Sequence, residues 1–191
     1  MGNNLRPLIA AIIVALLQTA FLGYMIESRA SILRDGVDVV LKTVPVDPRD
    51  LLRGDYVILA YDISSIPAEK ITGGFPGEAT DAQISVRLEK QPDGFWGVSE
   101  ASFGPLAPKD GSVIARSAPF YFYPTPDGPP SSLNVEYGIE RYYVPEGEGR
   151  VLEEARNASA LAVTASVSGD GGMQIRSISI DGKSLYEEPL Y

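Results

Sequence analysis

Residues 44–63 read V-P-V-D-P-R-D-L-L-R-G-D-Y-V-I-L-A-Y-D-I. From Tyr56 onward the stretch alternates: Val57, Leu59, Tyr61 and Ile63 fall on one face at period two, and Tyr56, Ile58, Ala60 and Asp62 on the other. β-branched and aromatic residues at that spacing predict a strand with one strongly apolar face. Arg53-Gly54-Asp55 before it reads as a tight turn, with Gly54 free to take positive φ. Asp47-Pro48-Arg49-Asp50 reads as an earlier turn, Pro48 presetting φ, and Leu51 and Leu52 between the turns are expected to tuck into the core.

Upstream, V-D-V-V-L-K-T-V over 37–44 predicts the first strand. Residues 27–36 predict a helical extension, with Ile32 and Leu33 as apolar contacts and Gly36 as its stop. Residues 8–26, L-I-A-A-I-I-V-A-L-L-Q-T-A-F-L-G-Y-M-I, carry no charge, and behind a short tail over 1–7 they span about 28 Å as a helix, close to the hydrocarbon thickness of a bilayer. A run apolar all round points to a transmembrane anchor rather than a buried soluble helix. Ser28-Arg29-Ala30 also has the form of a leader-peptide cleavage site, although the apolar run is longer than that of a usual leader.

Downstream, a Gly/Pro-bearing connection holds Pro67 and Gly73–Gly77 and reads as a loop or domain edge. Ile84, Val86 and Leu88 alternate with polar residues, Pro92-Asp93-Gly94 turns the chain, and 95–103 returns it as a hairpin. A further strand is expected over S-V-I-A-R, followed by the aromatic run 119–124, read as sheet core or packed edge. The prolines of 124–132 predict an exposed loop, R-V-L-E-E-A-R-N over 150–157 a short helix, and 160–167 with 174–180 a hairpin turned at Gly169–Gly172. Asp181-Gly182 opens a last small hairpin. The expected fold is thus mostly β, antiparallel sheets as a small barrel or sandwich, with one N-terminal transmembrane helix and one short helix near 150–157. The β-rich domain runs over 37–191. Val44-Pro45 and Val144-Pro145, each before an acidic turn, suggest two related halves divided near 124–132.

A net charge of −9 argues against nucleic acid as a partner. With no cysteine and no histidine, thiol catalysis, Ser-His-Asp triads and nearly all zinc or haem sites drop out, and no metal or cofactor is expected. Two clusters of mixed charge stand out: Asp47, Arg49, Asp50 and Arg53, and Glu140, Arg141 and Glu146. Alternating signs in turns make local ion pairs or a surface for a partner, and these seven residues are the candidate partner-binding set. No catalytic residue is assigned.

Gly54, Asp55, Tyr56, Leu59, Tyr61 and Ile63 match the pattern G-D-Y-x-x-L-x-Y-x-I, with P-V-D-P-R-D upstream and Y-G-I-E-R-Y-Y-V-P-E-G downstream. On these residues the chain resembles the bacterial GDYXXLXYXI family of membrane-anchored proteins, often encoded beside multi-pass membrane proteins. The apolar face and turn read above give the six motif residues a structural role, and the anchor, the missing catalytic residue types and the family's pairing with multi-pass membrane proteins together suggest a non-enzymatic, membrane-anchored module contacting an envelope or multi-pass membrane protein. Counted strictly, Arg6 against Arg29, Arg34 and Lys42 favours the carboxyl side as cytoplasmic, but long following domains translocate largely regardless of charge; the resemblance and the leader-like N-terminus favour N-terminus in and domain out. The alternative is an envelope hydrolase using carboxylates or a Ser/Lys pair. Pro45, Leu51, Leu52, Gly54, Asp55, Val57 and Leu59 are similar to a run in signal-peptidase-like proteases, yet the nucleophilic serine expected about nine residues before Asp55 is Val46 here.

Overall fold

The computed structural model describes residues 5–45, 56–126, 128–143, 149–158 and 160–188. The first element, α1 (Leu5–Asp35), is one continuous helix through the apolar run and beyond it. Over 7–29 every side chain is exposed, whereas Ala30 and Leu33 are buried against the domain. It is the helix among the described residues that is long and apolar enough to cross a membrane. Gly36 ends it, with its N–H bonded to the Ile32 carbonyl at 3.0 Å. The reason for glycine here is close approach and not left-handed backbone. A Cβ at Gly36 would lie 2.4 Å from both Ile32 O and Ser166 Oγ, and 2.9 Å from Val167 O.

Fifteen strands follow among the described residues: β1 (Val37–Val44), β2 (Tyr56–Ile58), β3 (Ala60–Tyr61), β4 (Ser65–Pro67), β5 (Ile71–Thr72), β6 (Thr80–Ala82), β7 (Ser85–Lys90), β8 (Trp96–Ser102), β9 (Ser112–Arg116), β10 (Phe120–Phe122), β11 (Ser132–Asn134), β12 (Arg141–Tyr143), and, after α2 (Gly149–Asn157), β13 (Leu161–Val167), β14 (Met173–Ile180) and β15 (Lys183–Glu187). They form a five-stranded sheet, β15-β14-β13-β1-β3, a four-stranded sheet, β5-β8-β7-β9, and three two-stranded ladders, β10-β6, β11-β4 and β12-β2. These are open sheets sharing one apolar core that runs from Val39 to Ile178; there is no closed barrel among the described residues. The sheets meet where β1 touches β8 and β13 touches β9, and the Arg116 N–H bonds to Gly171 O at 2.8 Å.

The hairpins fall where alternation and turn chemistry put them. β7 pairs antiparallel with β8 from Lys90↔Trp96, and β13 with β14 across the Gly169–Gly172 turn. At the last hairpin Ile180 faces Lys183, leaving a two-residue Asp181-Gly182 loop with φ of 47° and 75°, the doubly positive geometry that follows the twist of paired strands. The short helix is also where its sequence puts it, with Leu152 buried.

Three readings need correction. The apolar face of Val57, Leu59, Tyr61 and Ile63 is buried as expected, at 0–2 % exposure, but it does not belong to one strand. The chain changes partners after Leu59, from β12 to β1, and then closes a 3-10 turn over Asp62–Ser64. The connection after Ile63 is no plain loop: Ile66 in β4 and Ile71 in β5 are core residues, and β5 lies parallel to β8. In the aromatic run the residues divide, with Phe122 buried beside Phe75 and Phe103 while Tyr121 and Tyr123 face outward.

Candidate functional site

The two stretches that carry the family pattern are the two arms of one antiparallel ribbon. At one end β2 pairs with β12 as Tyr56↔Tyr143, Val57↔Tyr142 and Ile58↔Arg141, and the next rung is the Leu59 N–H on Glu140 O at 2.8 Å. At the other end the Val135 N–H bonds to Ser64 O at 2.9 Å, then β4 pairs with β11 as Ser65↔Asn134, Ile66↔Leu133 and Pro67↔Ser132. The register is constant throughout. Between the two ends Ala60 and Tyr61 leave to pair with Val44 and Thr43 of β1, and side chains bridge the gap. The Tyr61 hydroxyl donates to Ile139 O at 2.7 Å, and the Tyr137 hydroxyl donates to Ile63 O at 2.9 Å. Each tyrosine thus ties down the backbone of the other arm. Burial, and then the nearby Glu140 carboxylate, push both phenols above the usual tyrosine range, so they stay protonated donors.

Glu140 was expected in the partner-binding set, but its carboxylate is occupied inside the ribbon. It accepts from the Tyr137 N–H at 2.5 Å and the Gly138 N–H at 2.8 Å, holding the bend at Gly138, whose φ is 82°. Arg141, one residue on, is exposed. Asp47, Arg49, Asp50, Arg53 and Glu146, with the motif residues Gly54 and Asp55, lie outside the described residues. The motif residues Tyr56, Leu59, Tyr61 and Ile63 lie in the ribbon or the turn that follows it.

On the opposite side of β2, Arg156 of α2 is buried and donates to Ile58 O at 2.5 Å, its remaining bonds going to Asn157 Oδ1. β2 is therefore gripped from both flanks. A second buried arginine, Arg87 at the centre of β7, pairs with Glu100 at 3.0 Å and bonds to Ser112 Oγ and Ala107 O, tying a connecting loop across its sheet. Both guanidiniums are committed to the fold.

Beside the β2–β12 ladder lies an open polar cleft of about 690 Å³. Its walls come from three places: the end of α1 (Arg29), the ribbon (Tyr56, Glu136, Arg141, Tyr143) and the five-stranded sheet (Gln174, Ile175), with Glu188 beyond the last strand. Arg29 and Gln174 close one side through a 3.2 Å bond between side chains 145 positions apart. Sequence reasoning missed Arg29, Gln174, Glu136 and Glu188. Nothing local marks them; they become one site only through the docking of α1 on β14. A separate, apolar pocket of about 350 Å³ is lined by Phe75, Phe122 and the prolines of the 124–130 loop.

Lys70 Nζ donates to Val98 O at 2.5 Å and Lys109 pairs with Glu89 at 2.7 Å; neither reaches a serine hydroxyl. No group of three or more carboxylates able to hold a metal occurs among the described residues.

The model of the GDYXXLXY protein family matches residues 18–178, from the second half of α1 to the end of β14. Comparison with curated proteins and with solved structures gives no match. The match takes in both arms of the ribbon, α2, the four-stranded sheet, the five-stranded sheet apart from β15, and the joint between helix and domain, and the chain belongs to the GDYXXLXY family.

Proposed function

We propose that this protein is a non-enzymatic, single-pass membrane module whose β-rich domain, residues 37–191, is presented at the outer face of the cytoplasmic membrane and contacts an envelope or multi-pass membrane protein there. The observation that carries the reading is the docking of α1. The helix passes from a fully exposed apolar segment into a buried one without a break. Ala30 and Leu33 pack into the domain, Ser166 Oγ donates to Ile32 O at 2.7 Å, Arg176 donates to Leu33 O, and Arg176 pairs with Asp38 at 2.7 Å. A flexible tether would only localise the domain; a docked helix also fixes its height and orientation, which is what recognition of a neighbour in the same membrane requires. The same packing favours a retained anchor over cleavage after Ala30, which would strip Ala30 from the core.

Arg141, together with the charged residues 47–53 and Glu146, forms the proposed contact surface. The test is co-purification of the tagged full chain from mild detergent. A stoichiometric membrane protein, lost on Arg141→Glu, is the expected outcome; a chain that emerges alone contradicts the reading. Protease added to spheroplasts should degrade the domain, and protection until lysis would reverse the orientation.

A further inference from the structure

We propose that the cleft beside the β2–β12 ladder binds the headgroup of an aminophospholipid, a phosphate with a primary ammonium, from the membrane that α1 crosses; this rests on the anchored reading above. The first argument is height. The uncharged run of α1 ends at Ile26, and Arg29 lies three residues on, about 4.5 Å further along the axis. The headgroup layer on each side of the hydrocarbon is about 5–7 Å thick. Arg29 therefore stands within that layer, and it lines the cleft and bonds to Gln174 on the facing sheet. One wall of the cleft is at headgroup level because the helix docking puts it there.

The second argument is charge. Arg29 and Arg141 oppose Glu136 and Glu188 around the cleft, Glu140 being spent on the Tyr137 and Gly138 amides. Among the described residues the side chains of Arg141, Glu136 and Glu188 make no hydrogen bond or ion pair. A purely anionic ligand would meet two carboxylates, and a purely cationic one two guanidiniums. A zwitterion satisfies both: the guanidiniums take the phosphate oxygens through charge-assisted, bidentate-capable hydrogen bonds. The carboxylates take the ammonium N–H groups. Tyr56 and Tyr143, with ring centroids 5.9 Å apart, supply the amphipathic rings favoured at this depth.

The experiment uses the full chain, reconstituted in nanodiscs of phosphatidylethanolamine, phosphatidylcholine and phosphatidylglycerol in equal parts, then released for native mass spectrometry. Retained lipid is expected to be phosphatidylethanolamine, at least tenfold over either competitor, since choline has no N–H to donate and the glycerol headgroup has no cation. Arg141→Gln and Glu188→Gln, each at a side chain without internal partners, should melt like the parent and each lose the preference. Soluble glycerophosphoethanolamine should not displace the lipid at equimolar concentration if the membrane supplies the ligand. Equal retention of the three lipids, or an unchanged preference in both variants, overturns the proposal. An intact mass lacking the first 30 residues would instead sink the anchored reading, and the headgroup height with it.

Discussion

The two parts of α1 make an instructive comparison. Leu16 and Leu17 are 64 % and 65 % exposed, while Ala30 and Leu33, on the same unbroken helix, are each 5 % exposed. Both parts are helical for the same local reason: good helix formers with no proline after the first turn. They differ in what covers them. Residues 8–26 present apolar surface that only lipid or another helix can bury, whereas Ala30 and Leu33 are buried where the helix meets β13 and β14. The second part belongs to the domain, so on the proposed reading α1 is both an anchor and the first piece of the fold.

If that distinction is right, mutations should sort by position along the helix. The largest effect is expected at the joint. Leu33→Ala should cost about 2–5 kcal/mol in the full chain in detergent, the usual range for emptying a core leucine site. For a protein of this size each kcal/mol is worth about 2–4 °C of melting temperature. A near-parental melt would mean that the docking contributes nothing.

The reciprocal tyrosines extend the comparison to the ribbon, where side chains bridge the gap that Ala60 and Tyr61 leave between its arms. Tyr61→Phe and Tyr137→Phe should each cost about 1 kcal/mol at neutral pH, with the carbonyl left behind adding to that. Both phenols have folded pKa values raised above the ordinary 10.0, by burial and then by Glu140. The sign follows from proton linkage: the unfolded chain releases these protons near pH 10 while the folded chain holds them. Their contribution is fully present below pH 10 and falls above it, by about 1.4 kcal/mol per pH unit for each tyrosine. Melting from pH 8 to 11.5 should show this alkaline loss reduced in the double Phe variant. An identical alkaline slope would show that the phenols are not held as described.

Ser166→Ala removes the hydroxyl that caps Ile32 O and should cost about 1 kcal/mol, or 2–4 °C. Leu16→Ala, on the exposed part of the helix, should leave domain melting within about 0.5 kcal/mol of the parent. A larger drop for Leu16→Ala than for Ser166→Ala would reverse the comparison.

Much of this was legible in the sequence, for identifiable reasons. Period-two alternation marked β1, β7, β13 and β14 because each buries one face strongly, and Asp-Gly and Gly-rich turns fixed their hairpins. The buried set Val57, Leu59, Tyr61 and Ile63 was legible from the same alternation. The exchange of partners after Leu59 was not, because burial pattern reports which face is covered and not which strand covers it. β4, β5 and β6 were missed because two or three residues are too few to show a period, so Ile66 and Ile71 passed as loop residues. At Glu140 a charge read as surface proved to be a backbone clasp. The cleft was illegible for a different reason: Arg29, Arg141 and Gln174 converge only after α1 has docked on β14. Gly36 shows the converse, a stop signal rightly placed whose cause was the nearness of Ser166 and Val167 rather than its own φ.

The central claim is that the end of α1 is part of the folded domain, and truncation tests it most directly. A chain beginning at Glu27 keeps the docked turns and loses the exposed ones; a chain beginning at Val37 loses both. With Ala30 and Leu33 buried in the first and absent from the second, the shorter chain should melt at least about 4 °C lower, from a loss of about 2–5 kcal/mol at 2–4 °C each. Equal melting of the two chains would contradict the account and return residues 27–36 to the status of a tether.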